Sequence, residues 1–104
     1  VNTIKTKIKK AIKSNAINQR EWENFEKNLI QSHEEFVQKL TNTFPELTSK
    51  DIKLSIYLRM NLSSKEIAPL MNISYRGVEL HRYRLRKKLN LVHDNGLVDY
   101  ILSV

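Results

Sequence analysis

Six cations, Arg76, Arg82, Arg84, Arg86, Lys87 and Lys88, crowd into residues 75–90 beside a single acid, Glu79, a local excess of 6 − 1 = 5 positive charges. A cluster of cations like this suits phosphate, and Arg adds a planar fork that fits the O6 and N7 atoms of guanine. Projected at about 100° per residue, Val78, Leu85 and Leu89 fall on one line, with His81 and Arg82 at its margins. Arg76, Leu80, Tyr83 and Lys87 fall opposite, flanked by Glu79 and Arg84. A helix with an apolar stripe behind and cations in front meets the needs of docking in a major groove, where phosphate contacts set register and base edges set preference. A run of charge on its own is more often a solvated helix face. The elements that hold this helix therefore matter as much as its charge.

Those elements precede it. Ser63 with Glu66 three residues on forms a capping box, opening a short helix with Ile67, Ala68 and Leu70 or Met71 turned inward. Pro69 is expected near its first turn, where a missing N–H matters little, so a slight bend is predicted rather than a break. Asn72 ends that helix, Ile73 plugs the turn, and Ser74 caps the basic helix that runs to about Asn90. Upstream, Thr48 and Asp51 mark another start. The helix over 49–60 turns Ile52, Leu54 or Ser55, Ile56 and Leu58 inward, with Tyr57 and Arg59 reaching outward, and Asn61 ends it. Two short helices joined by a tight turn, the second long and basic, make a helix-turn-helix.

At this point residues 47–91 resemble the LuxR/GerE-type helix-turn-helix domain of bacterial transcription regulators. The family's opening Leu-Thr and acid correspond to Leu47, Thr48 and Asp51. Its Gly-x-Ser-Asn-Lys-Glu-Ile-Ala run corresponds to Asn61, Ser63, Ser64, Lys65, Glu66, Ile67 and Ala68. Its closing Ile-Ser, Thr-Val-Lys-x-His and Lys-Leu correspond to Ile73, Ser74, Gly77, Val78, Glu79, His81, Lys88 and Leu89. Three positions depart from the pattern. Asn61 replaces a Gly but tolerates the left-handed turn. Gly77 replaces a Thr and its hydroxyl. Glu79 replaces a Lys, putting an anion where a cation is usual; Glu accepts from cytosine N4 or pairs with its Arg82 or Tyr83 neighbours. The wording from Val78 to Leu89 is also similar to a Bacteroidetes-like subgroup in which the domain closes a larger regulator.

The resemblance implies an all-α fold with a four-helix domain, the helix at about 75–90 lying in the major groove of double-stranded DNA, and the spacing of apolar residues upstream adds a long amphipathic helical extension before it. Lys65, Ser74, Arg84, Arg86 and Lys88 would grip phosphates, while Arg76, Glu79, Leu80, Tyr83 and Lys87 would face the bases. It also implies a homodimer, an upstream sensor or regulatory domain, a cytoplasmic location and no enzymatic role.

Composition agrees with that class. The 104 residues include 18 basic and 11 acidic side chains, a net charge of +7 that favours a polyanion or an anionic surface. Two Gly and two Pro suit a helical chain, and the lack of Cys excludes disulfides and thiolate zinc sites. No apolar run approaches the ~20 residues that span a bilayer, and no signal peptide is visible. A chain starting at Val suggests a processed or excised piece of a longer protein. Neither a catalytic constellation, a cofactor loop nor a metal-spaced cluster is found, so no catalytic, cofactor or metal residue is expected.

Residues 1–44 read as the extension and 45–104 as the domain, divided where Phe44-Pro45 breaks a helix. Over 1–20, Ile4, Ile8, Ala11 and Ile12 recur at helical spacing among Lys5, Lys7, Lys9, Lys10, Lys13 and Arg20. The readings are a helix packed on a neighbour or partner chain, a membrane-surface helix lacking aromatic anchors, and a loose basic tether. Asn18 with Glu21 caps a single helix predicted to run to about Thr43, its near-heptad seam formed by Trp22, Phe25, Leu29, Phe36, Leu40 and Phe44 with His33 in line. Glu21, Glu23, Glu26, Glu34 and Glu35 make a solvated acidic face rather than a metal site, since no second His stands at i+4 of His33; Trp22 is a packing anchor. After Leu91, Asp94 or Asn95 caps a last helix bearing Leu97, Val98, Tyr100, Ile101 and Leu102, suited both to packing back and to dimerisation. A second function class stays open: a helical protein-interaction or dimerisation domain whose basic face is incidental.

Overall fold

The computed structural model describes residues 19–91 and 96–104. Within them the elements are α1 (Gln19–Ser32), α2 (Glu34–Thr43), α3 (Ser49–Arg59), α4 (Ser64–Met71), α5 (Tyr75–Lys88) and α6 (Gly96–Ser103), with no strand among the described residues. α3 to α6 fall in the stretch expected to form the domain, and α1 with α2 in the expected extension. The basic helix expected over residues 1–20, the Asn18 cap and the Asp94 or Asn95 cap lie outside the described residues, apart from the first turn of α1.

Local chemistry sets the boundaries. Thr48 caps α3 by accepting from the Asp51 amide while Asp51 accepts from the Thr48 amide, and Ser63 with Glu66 does the same for α4. Ser74 caps α5 by accepting from the Gly77 amide at 3.0 Å. The helix ends share one device. Asn61, Asn72 and Asn90 take φ of 62°, 54° and 59°, the left-handed region that Asn enters more easily than most residues. The residue after each Asn, Leu62, Ile73 or Leu91, then donates back five residues to Tyr57, Ala68 or Arg86 at 3.2, 3.1 and 2.9 Å. That pattern satisfies the last carbonyls of a helix and tucks an apolar side chain under its end. Pro69 is the sixth residue of α4, counting from Ser64, deeper than the first turn, and the helix continues through it to Met71.

The single long helix predicted up to Thr43 is broken. His33 leaves helical geometry at φ −114°, ψ 25°, and its amide bonds Ile30 rather than the carbonyl four residues back. Beside it the Ser32 hydroxyl donates to the Asn28 carbonyl at 2.9 Å, a back-bond that loosens helices. The break lets both halves follow the domain surface: Leu29 on α1 and Phe36 and Leu40 on α2 are buried in the same core as Leu54, Ile67, Leu85 and Ile101. Trp22, Phe25 and Phe44 pack at its edge, as the seam implied.

α3 is the central rod. Leu54, Ser55, Ile56, Tyr57 and Leu58 are all buried, and five consecutive residues cover the whole helix circumference. The expectation that Tyr57 and Arg59 point outward is therefore corrected. A face that a three-helix domain would leave to solvent is covered, and Tyr57 is fully buried. The Arg59 guanidinium lies over the Phe36 ring, 4.6 Å from its centroid. Lys53 pairs with Glu26 at 3.2 Å, a further tie between α3 and α1. On another side α6 packs against α3 through buried Leu97 and Ile101, while Tyr100 meets Phe44 edge-on at 6.2 Å. No helix among the described residues is long and apolar enough to cross a membrane.

Candidate nucleic-acid interface

α5 sits on the domain by one face only. Val78, Leu85 and Leu89 are buried at 0%, 0% and 3% exposure, so the predicted apolar line is the seam that meets α3 and α4. Around the opposite side Arg76, Glu79, Leu80, Tyr83, Arg84 and Lys87 are exposed. Leu80 and Tyr83 stay about half accessible, at 49% and 46%, on this same side. The two cationic side chains that follow Tyr83 in the last turn close over its ring, Lys87 Nζ at 4.7 Å and the Arg86 guanidinium at 5.7 Å. The ring thus presents an edge between positive charges.

Two residues of the expected set do structural duty. The Ser74 oxygen accepts from the Gly77 amide, yet Ser74 is exposed and its hydroxyl proton can still be donated outward. A Cβ on residue 77 would press on that oxygen at 3.3 Å, so Gly77 in place of the family's Thr relaxes a tight spot at the helix start. Lys88 was expected to hold phosphate. Its ammonium instead donates to Asp51 Oδ2 at 2.6 Å, because the last turn of α5 lies over the start of α3 and Asp51 is buried there. Lys65, on the first turn of α4, is exposed and keeps its charge in solvent.

Asp51 is the hub that sequence reasoning saw only as a cap. It is 1% exposed and accepts from the Thr48 amide at 2.8 Å, from Lys88 and, through Oδ1, stands 2.9 Å from His81 Nε2. Burial works against its charge, but the hydrogen bonds from Lys88, Thr48 and His81 outweigh that and hold the carboxyl at about 2, against an ordinary 3.8. A second clamp joins Arg82 Nη1 to Ser64 Oγ at 3.1 Å, fixing α5 to the start of α4. One carboxylate and one hydroxyl thereby hold α5 at His81, Arg82 and Lys88, all on the side away from Leu80 and Tyr83. The long separation from residue 51 to 81 and 88 hid this hub; a capping acid facing a His and a Lys of one helix was the available signal.

The sequence also missed Tyr75. It is 47% exposed at the first turn of α5, one turn before Glu79, whose carboxylate raises the phenol above its usual range. The alternative partners expected for Glu79, Arg82 and Tyr83, are engaged with Ser64 and with Lys87 and Arg86.

The profile of bacterial regulatory proteins of the luxR family matches residues 46–101, 56 of the 104 residues. The chain belongs to that family. It carries the family's DNA-binding helix-turn-helix, α4 and α5, inside an all-helical domain. A curated relative, the transcriptional regulatory protein TdiR of Thauera aromatica, is 34% identical over 65 residues. That match covers 62% of this chain and 29% of the relative, so the chain corresponds to less than a third of TdiR's length. No solved structure matches it. Family membership also accounts for α6, which the profile includes up to Ile101, one of its two buried residues.

Proposed function

We propose that this domain binds duplex DNA sequence-specifically, with α5 lying in the major groove, and that it does so as the DNA-binding module of a transcription regulator. The observation that carries the reading is the split of α5 into a sealed apolar line, Val78, Leu85 and Leu89, and an accessible face bearing Arg76, Leu80, Tyr83 and Lys87. On this reading Arg76, Glu79, Leu80, Tyr83 and Lys87 meet base edges, with Leu80 and Tyr83 suited to thymine methyls. Lys65, Ser74, Arg84 and Arg86 hold phosphates on either side. Lys88 belongs with Asp51 and His81 as a positioning residue, holding α5 at its angle on α3.

Residues 45–104 then form the module and residues 1–44 an extension that leads toward a further domain, its α1 and α2 packing on the module. The short share of TdiR that the chain spans supports an upstream sensor or regulatory domain in the complete protein. Homodimerisation is in keeping with Leu102 of α6, 56% exposed on the helix whose other side is buried. A regulator of this kind works in the cytoplasm and needs no enzymatic activity.

Titration of a mixed-sequence duplex at two salt concentrations tests the reading. The three cationic phosphate contacts, Lys65, Arg84 and Arg86, predict about a fortyfold loss of affinity between about 50 and 200 mM salt. An affinity that barely moved with salt, or no binding at all, would leave α5 as a solvated face.

A further inference from the structure

Glu79 is the one acid on α5 and stands on the exposed side of the helix, between Arg76 three residues before it and Tyr83 four residues after it. A carboxylate brought toward DNA is repelled by phosphates, so this position weakens binding to every sequence that offers it nothing in return. In the major groove guanine shows N7 and O6 and thymine shows O4, all acceptors that a carboxylate also repels. Only the exocyclic amines of cytosine and adenine donate. Adenine N6 has the acceptor N7 beside it, whereas cytosine N4 is flanked on its own base by a C–H edge. The free choice for an anion at this place is cytosine.

Tyr75 sharpens that choice. It stands one helical turn before Glu79, i to i+4, on the same exposed side, and the Glu79 carboxylate beside it raises the phenol above its usual range. A long side chain normally gives up rotamer freedom when it is held against a base. A phenol one turn away on its own helix is placed to engage one Glu79 oxygen before DNA arrives, leaving the remaining lone pairs to face outward.

We propose that Glu79, held by Tyr75, is a cytosine-selecting residue of the recognition helix, which rejects guanine and thymine at its base pair and makes Tyr75 a positioning residue for it. This deepens the major-groove reading and rests on it. Cytosine on the contacted strand places guanine opposite, so the strand identity of the preference is defined as well.

Selection of bound sites from a random duplex pool, using the whole chain, tests the proposal with the parent, Glu79→Gln and Tyr75→Phe. All three are checked for equal helical circular dichroism, and both substituted positions are exposed. The parent is expected to enrich cytosine at one position of each half-site. Glu79→Gln should move that position to adenine, which Gln can bind through N6 and N7, with about a tenfold fall in preference for cytosine. Tyr75→Phe should keep cytosine but weaken the preference about threefold. If Glu79→Gln selects the same bases as the parent at every position, the proposal is overturned while sequence-specific binding stands. Enrichment of guanine or thymine at the position that responds to residue 79 also overturns it. A parent that enriches no sequence removes the major-groove reading and this inference together.

Discussion

Replacing Asp51 with Asn tests whether the orientation of α5 is set electrostatically. Asn keeps the shape and can still accept from the Thr48 amide, so it stands in for a protonated Asp51. The carboxyl is held at about 2 against an ordinary 3.8. At 1.36 kcal/mol per unit this difference makes the charged form worth ~2 kcal/mol to the folded state at neutral pH. The figure stays at that level rather than at the ~3–5 kcal/mol of a stranded buried charge, because the Lys88 side chain is 37% exposed and can swing into water. The sign follows from a carboxyl whose folded value is depressed. Its stabilisation is complete above the unfolded value near 3.8 and is lost as pH falls through about 2. Urea unfolding, followed by circular dichroism and Trp22 fluorescence, should show Asp51→Asn less stable than the parent by ~2 kcal/mol at pH 7. The gap should close to under ~0.5 kcal/mol by about pH 2, since the parent then carries a half-protonated Asp51 as well. Equal stability at pH 7, or a gap that stays constant down to pH 2, would refute the view that Asp51 is a charged hub.

Other outcomes follow from particular side chains. Tyr57→Phe removes a buried hydroxyl that has no hydrogen-bond partner among the described residues, so stability by denaturant titration should stay within ~1 kcal/mol of the parent or rise; a larger loss would mean the hydroxyl is bonded. Asn72→Ala should destabilise by ~1 kcal/mol because φ is 54° there, while Asn72→Gly should be nearly neutral. In competition titrations Arg76→Ala should relax preference at one base pair, costing ~1–3 kcal/mol there. Arg84→Ala should weaken all duplexes alike and lower the salt slope by ~1; uniform losses from both variants would misplace Arg76.

Sequence reasoning found the features written in neighbouring residues. Capping boxes at Thr48 and Ser63 need a hydroxyl and an acid three residues apart, and both formed. The turns at Asn61 and Asn72 followed from the ease with which Asn takes left-handed geometry, and the two faces of α5 followed from helical period alone. The extension was harder. Its seam spacing is continuous through His33, so periodicity favours one rod, and only the curvature of the surface beneath it, together with the Ser32 back-bond, ends the helix there. Tyr57 failed for a related reason. One amphipathic stripe was sought on α3, but a helix covered by α1 and α2 on one side and by α5 and α6 on others has no outer face for its middle residues.

The sequence by itself determined which residues cap α3, α4 and α5, which line of α5 is apolar and which is cationic, and the family to which the chain belongs. The caps and faces are properties of residue type within one helix or turn, where backbone geometry leaves few alternatives. Only the tertiary structure decided that Asp51 takes Lys88 and His81 as partners, that Arg82 spends its guanidinium on Ser64, and that the extension shares the domain's core. Each of those contacts joins groups 18 or more residues apart along the chain or on separate helices, and their energies exist once packing has excluded water and brought the helices into register.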